Sequence, residues 1–492
     1  MHMIRISRTR LDMEGGRVDR ATLKDWGQTT VGGAAGTNTG ASYDVNLNQG
    51  NVFNLILTAN CTFTFSNPFS NATHSFTLKL KQDATGSRTV TWPSSVAWPS
   101  GTAPTLTTTG GRLDVIKFFT TNGGTVWLGI VLGQNFDLSD PGLLFAWGRN
   151  GSGRLGLGNT ADRSSPVQVG TLTNWSSAAA GTFQHSLATK TNNTLWSWGG
   201  NSDGQLGLGD VISRSSPVQV GTLTTWSSAA TGYLHSLATK TDGTLWTWGD
   251  NGLGQLSIGD VIDRSSPVQV GTLTNWSSAS GGNAHSLAIK TDGTLWTWGR
   301  NADGQLGLGN TADRSSPVQV GTLTTWSSAA GGFLHSHAIK TDCTLWTWGT
   351  NTYGRLGLGD VILRSSPVQV GTLTTWASVA AGSVHVLATK TDNTLWAWGH
   401  NSYGELGLGD VINRSSPVQV GTLTTWSRAL AGTFHGLATK TDGTLWTWGD
   451  NGLGQLSIGD VILRSSPVQV GTLTNWSSAA AGSFHSLAIR SS

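Results

Sequence analysis

The chain has 492 residues, only 12% of them charged, and a formal net charge of +3. So weak a charge excludes the basic stripe that a nucleic-acid track requires. The two cysteines, Cys61 and Cys343, form neither a disulfide framework nor a metal-binding spacing. Residues 1–26 mix charges, with Arg5, Arg8, Arg10, Arg17 and Arg20 among them. They offer no apolar stretch for a signal peptide or a membrane span, so export by the usual route is not expected. Residues 27–42 are rich in Gly, Thr and Ala and read as a flexible linker, which makes 1–41 an N-terminal arm.

From Tyr43 the pattern becomes all-β. Strand-forming runs fall at Tyr43–Leu47, Val52–Leu57, Thr62–Phe65, Ser75–Lys81, Thr89–Trp92, Val115–Thr120 and Val126–Val131, with turn residues between them. Six or seven strands in so short a stretch predict a small β-sandwich or jelly roll over 42–136. The phrase Tyr-Asp-Val-Asn-Leu-Asn-Gln-Gly-Asn-Val-Phe from Tyr43, followed by Cys-Thr-Phe-Thr-Phe-Ser-Asn-Pro from Cys61, resembles a module of tailed-bacteriophage tail fibres and appendages. So do Gly86-Ser-Arg-Thr-Val-Thr-Trp-Pro and Gly101-Thr-Ala-Pro-Thr-Leu. The resemblance covers about Ser42–Asn135 and implies a virion protein assembled in the host cytoplasm. Residues 137–142 read as a short polar linker.

The remainder, 143–492, repeats one sentence seven times. Trp-Gly recurs at Trp147, Trp198, Trp248, Trp298, Trp348, Trp398 and Trp448. Each is followed by Asn-x-x-Gly-x-Leu and by an unvarying Arg-Ser-Ser-Pro-Val-Gln-Val-Gly-Thr-Leu-Thr. A period this long means stacked supersecondary units. Each unit holds four short strand-like runs, such as Trp175–Ala180, His185–Lys190, Thr194–Gly199 and Pro217–Val220. Between the second and third lies a two-residue turn, Asp242-Gly243 or a variant, of the kind that needs positive φ. Four strands per unit predict a blade, and seven units predict a seven-bladed β-propeller.

The small-residue run Ser-Ala-Ala suits the crowded innermost strand. The chain enters on a third strand, Leu144–Gly148, and leaves on a second, His485–Arg490, so two half-units should join as a split closing blade and remove the open sheet edges. The regular spacing of the tryptophans favours a packed core over platforms for sugar rings. The run from Ala-Ala-Gly-x-x-His-Ser-Leu-Ala through Leu-Trp-x-Trp-Gly-x-Asn to Gly-Gln-Leu-Gly-Leu-Gly resembles the regulator-of-chromosome-condensation repeat over Leu143–Arg490. That resemblance implies the same split-bladed ring.

No nucleophilic triad, paired carboxylates or phosphate loop is present, so neither enzyme activity nor a cofactor is expected. The seven recurrent histidines, His185 to His485, are expected in structural hydrogen bonds rather than on a metal. The recurrent arginines, Arg163 to Arg464, are expected on loop carbonyls or on the Asp210-type acid. Lys240, Lys290 and their equivalents, two residues from an Asp, read as a solvated ring of hairpins.

Variation is confined to a few positions. The residue after Trp-Gly changes from unit to unit, through Arg149, Asp250, Arg300, Thr350, His400 and Asp450, and Tyr353 and Tyr403 follow close by. These are the candidate recognition residues, because loops on a rigid scaffold commonly carry binding. The leading expectation is a phage appendage that attaches through its N-terminal part and displays the ring. Expected partners are other virion proteins and a host-surface glycan or protein, with self-association as a homotrimer; neither nucleic acid nor membrane is expected. A capsid-decorating protein without a receptor role and a cellular propeller scaffold or adhesin are the alternatives.

Overall fold

The computed structural model describes residues 30–31, 36–68, 74–83, 85–120, 123–137 and 142–491. Most of the expected arm lies outside the described residues. The chain divides into two compact units, Met1–Ser139 and Asp140–Ser492.

The first unit has two sheets, as the strand count predicts. Ser42–Asn46, Cys61–Ser66 and Val90–Thr91 form one; Val52–Leu57, His74–Gln82, Arg112–Thr120 and Trp127–Asp137 lie in order within the other. The connections are not those of a jelly roll. Successive strands from Ser42 to Thr91 alternate between the sheets, so neighbours within a sheet are every second strand and run parallel. Only the last two long strands pair antiparallel. Part of the expected flexible linker is also in the sheet, since Thr30–Val31 and Thr37–Asn38 pair with Val52–Leu57. The threonines and valine there are strand formers, and composition alone hid this. Alternate residues Phe53, Leu55 and Leu57 point into a core that includes Phe63. Phe76 stacks on Phe118 at 5.0 Å, with Trp127 edge-on to it at 5.0 Å.

The second unit is a ring of seven four-stranded antiparallel sheets. One blade runs Trp226–Thr231, His235–Lys240, Leu245–Gly249, Arg264–Gln269, in that spatial order. The fourth strand starts earlier than Pro217–Val220 implies, because a bulge lets Arg214 and its equivalents pair with the Trp-Gly glycine. First strands of adjacent blades touch one another, which places the Ser/Ala run innermost. Larger side chains there would collide around the axis. In the closing blade Leu143–Gly148 pairs with His485–Arg490 in unbroken register, Leu143 opposite Arg490 and Gly148 opposite His485. Arg163–Gln168 flanks that pair outside and Trp476–Ala481 inside.

The tryptophans do three different jobs. Trp248 is fully buried, and its Nε1 donates to the Gln205 carbonyl of the preceding blade at 2.9 Å. Each second Trp of Leu-Trp-x-Trp thus ties two blades together. Trp226 is buried edge-on to Trp246 and Trp248. Trp246 is half-buried and donates to Thr244 Oγ1, which in turn donates to Asp242.

The recurrent lysine side chains are largely buried rather than extended into solvent, contrary to the hairpin-ring reading. Lys240 is buried, with its Nζ 3.6 Å from the Trp246 ring centre and 4.9 Å from that of Trp226. Asp242 caps its own turn instead of pairing with the lysine. The indole faces attract the ammonium and the long stem packs as an apolar chain. In the closing blade Arg490 over Phe145 takes this place, at 5.0 Å.

The Trp-Gly glycine is required by geometry. At Gly249 φ is +103°, and a Cβ would lie 2.4 Å from the Leu234 carbonyl oxygen.

Candidate functional site

The histidines form a belt between blades. His235 Nε2 lies 2.8 Å from Ser286 Oγ of the next blade, and Ser286 donates to the Gln255 carbonyl. The hydroxyl proton being used, His235 donates through Nε2. His185, His285 and His435 reach Ser236, Ser336 and Ser486 in the same way, and His485 closes the belt on Ser186. Burial pushes His185, His235, His285 and His435 down to about 3 and holds His485 well below the ordinary imidazole value, so the rings are neutral. This is interblade bonding, as expected. At two places the serine is replaced, by Val386 and Gly436, and the Nε2 atoms of His335 and His385 have no partner. The invariant arginines also sit as expected: Arg214 meets Asp210 at 2.5 Å and donates to the Ile212 carbonyl.

Antiparallel pairing puts the loop after each first strand and the loop after each third strand at the same end of the ring. The candidate residues lie in the second set of loops. Some are tied up locally: Asp250 and Asp450 accept from Gly252 and Gly452, and Arg300 pairs with Asp303 at 3.1 Å. Burial raises the Asp250 carboxyl, with Asp263 and Asp203 adding to the shift. Arg149 lies over Phe484 at 5.8 Å. Among the described residues Thr350 has no side-chain hydrogen-bond partner.

Three candidates come together. The Tyr353 and His400 rings are 4.7 Å apart, and His400 and Tyr403 6.2 Å. Phe434, from a first-to-second-strand loop, adds to the group at 4.9 Å from Tyr403. Tyr353 and Tyr403 are exposed, at 44% and 41%. Tyr353 is held at φ +65°, a left-handed conformation costly for a bulky residue. Beneath the aromatics His400 Nδ1 contacts the fully buried Glu405 carboxylate, which also accepts from the Tyr403 amide. Arg355 is buried beside them, 5.8 Å from the Tyr353 ring centre, and desolvation lowers it to about 10.

Glu405, Arg355 and, in the closing blade, Arg154 stand where Gln205, Gln255, Gln305 and Gln455 stand elsewhere. Arg355, Glu405, the Tyr353–His400–Tyr403 group and both breaks in the histidine belt fall over three neighbouring blades. Sequence reasoning missed Phe434, Phe183, Tyr233 and Phe333. Phe183 stacks on Tyr233 at 4.4 Å, and Tyr233 meets Phe333 at 6.1 Å. The signal was present in the residues just before each invariant histidine, which vary as freely as those after Trp-Gly. Among the described residues no group of three or more His, Cys, Asp or Glu is placed to hold a metal ion.

The RCC1-like domain family matches residues 130–377, half of the chain, and Regulator of chromosome condensation (RCC1) repeats match 392–439 and 442–489. The chain belongs to the RCC1-like family. Ahead of the RCC1-like ring, residues 28–124 match the family described as "Putative phage tail fibre C-terminal domain". Over 81 residues the chain is 36% identical to the Ultraviolet-B receptor UVR8 of Arabidopsis thaliana, covering 16% of this chain and 18% of the receptor. Over 91 residues it is 40% identical to the Probable E3 ubiquitin-protein ligase HERC3 of Homo sapiens, covering 18% and 9%. The chain thus spans less than a fifth of these relatives. The solved structure of human WBSCR16 is similar with a TM-score of 0.64 at 22% identity, covering 71% of this chain and 99% of that one. Prp20p from Saccharomyces cerevisiae has a TM-score of 0.64 at 22% identity, covering 72% and 92%. At that identity the likeness is one of fold. No helix among the described residues is long and apolar enough to cross a membrane. A tail-fibre match joined to an RCC1-like propeller supports a structural or recognition role.

Proposed function

We propose that this protein is an appendage of a tailed-phage virion. The N-terminal unit attaches to other virion proteins, and the RCC1-like ring presents a recognition face to a host-surface glycan or protein. The observation that carries this reading is the tail-fibre match over 28–124 in the same chain as a ring whose repeat is broken by an exposed aromatic cluster over one sector. Catalysis plays no part in it. Self-association, proposed as a homotrimer, would cover Leu128, Ile130 and Leu132, alternate residues on one sheet face of the N-terminal unit that are exposed at 43%, 41% and 57%.

Antibody against the ring, gold-labelled and imaged on particles, tests the location. Label at the tail supports an appendage, label over the capsid supports the decorating alternative, and unlabelled particles sink the virion reading. Purified chain should also compete with phage adsorption. Tyr353→Ala with Tyr403→Ala should abolish that competition while the ring stays folded.

A further inference from the structure

A second kind of site shares none of the clustered aromatic residues and lies in the clefts between the outer strands of adjacent blades. Four such clefts have volumes of about 520, 460, 490 and 590 Å³, in the range of small-ligand sites. The first is lined by Arg314, Gln319 and Leu323 of one side and by Lys340, Trp346 and Pro367 of the next blade. Lys240, Lys390 and Lys290 line the other three with Trp246, Trp396 and Trp296.

Each of these lysines is more than nine-tenths buried. Among the described residues none has a hydrogen-bond acceptor or an acidic partner within ion-pair distance; only the indole faces meet the ammonium. The arginines differ. Arg214 and Arg364 are neutralised by Asp210 and Asp360, but Arg314 has Asn310 in that place and donates only to carbonyl and amide oxygens. The Arg314 cleft therefore holds two positive groups, a glutamine amide and a half-buried indole, with no carboxylate in ion-pair contact with either; Asp342 acts on Lys340 only at longer range.

From this arrangement we propose that the interblade clefts bind pyranose sugars carrying a carboxylate. The indole and Leu323 cover the apolar face of the ring, Gln319 bonds hydroxyls, and the lysine ammonium takes the carboxylate. A neutral sugar would leave the ammonium as it is; an acidic one supplies the direct ion-pair partner that the hairpin aspartate, turned to its own cap, does not. The repetition of the cleft gives several sites on one chain. The Arg314 cleft is the tightest, since its arginine has no acidic partner and can exchange its weak bond to Asn310 for one to the carboxylate.

The test is calorimetric titration of the full chain with tetragalacturonate and with its neutral methyl ester. Sialyllactose against lactose tells a nine-carbon acidic sugar from a uronic acid. The acid should bind at more than one site per chain, at least tenfold tighter than its ester. Lys240, Lys290, Lys340 and Lys390, all changed to Gln, should abolish that difference. Asn310→Asp introduces the acid that five other blades already carry, so it folds, and it should remove the tightest site alone. Equal binding of acid and ester, no binding of any acidic sugar at millimolar concentration, or an unchanged tightest site in Asn310→Asp would each overturn the proposal. The titration uses purified chain, so its failure leaves the particle location untouched.

Discussion

The two units of this chain cover their sheets in opposite ways. The N-terminal unit folds one core between two sheets, and aromatic rings from distant strands meet there once: Phe76, Phe118 and Trp127 have no counterparts elsewhere. The ring has seven small cores, one at each blade junction, and every junction repeats the same tryptophan-to-carbonyl bond. A unique core fails as a whole when one member is lost. A repeated core passes damage around only through closure, because no blade buries both faces alone.

Calorimetry on the full chain should resolve this difference as two transitions. The strongest way to break the ring alone is to delete residues 477–492, which removes His485–Arg490 and unpairs Leu143–Gly148. The ring transition should disappear, with aggregation through the opened edges, while the N-terminal transition remains. A surviving ring transition would show that closure is dispensable.

Acid should come next. The belt histidines are neutral when folded; His185, His235, His285 and His435 have values near 3 against about 6.5 in an unfolded chain. Between those values the unfolded state binds protons that the folded ring refuses. Stability present above pH 6.5 is therefore lost as pH falls toward 3, at roughly 1.4 kcal/mol per pH unit for each histidine. The ring should melt cooperatively well above pH 3. A ring transition flat from pH 7 to 4 would refute the assigned neutrality.

Trp298→Ala empties one blade junction and should cost about 3–5 kcal/mol, lowering only the ring's melting temperature. Ser286→Ala should cost about 1–3 kcal/mol, since it leaves the buried His235 Nε2 without its partner. The smallest effect has the opposite sign. Tyr353→Gly relieves a positive φ and should stabilise the ring by about 1 kcal/mol while weakening recognition. If it destabilises, Tyr353 is packing rather than display.

Much of the ring was legible in the sequence because its period forces equivalent environments. Seven tryptophans at one position must be core, and half-units at each end must join. The lysine was not legible. Its charge and its Asp neighbour suggested solvent, and only the fold shows two indoles converging on it. Parallel pairing in the N-terminal unit was hidden for another reason: a short alternating strand reads the same whichever way its neighbour runs. Of the candidate site, Tyr353, His400 and Tyr403 were found by their variation, but their meeting with Phe434 depends on two loops leaving the same end of the ring. Glu405 and Arg355 were overlooked because they stand inside the otherwise regular Gly-x-Leu phrase.

The split blade has a mechanical consequence. The ring is joined to the preceding residues at Leu143, the first residue of a strand that is hydrogen-bonded along both sides, to Arg163–Gln168 and to His485–Arg490. A pull from the N-terminal side therefore does not peel an outer strand from a free edge. It drags an interior strand lengthwise between two partners, so that several hydrogen bonds must fail together. The blade that completes the circle is also the one that takes the load, which suits a head tethered to a moving object.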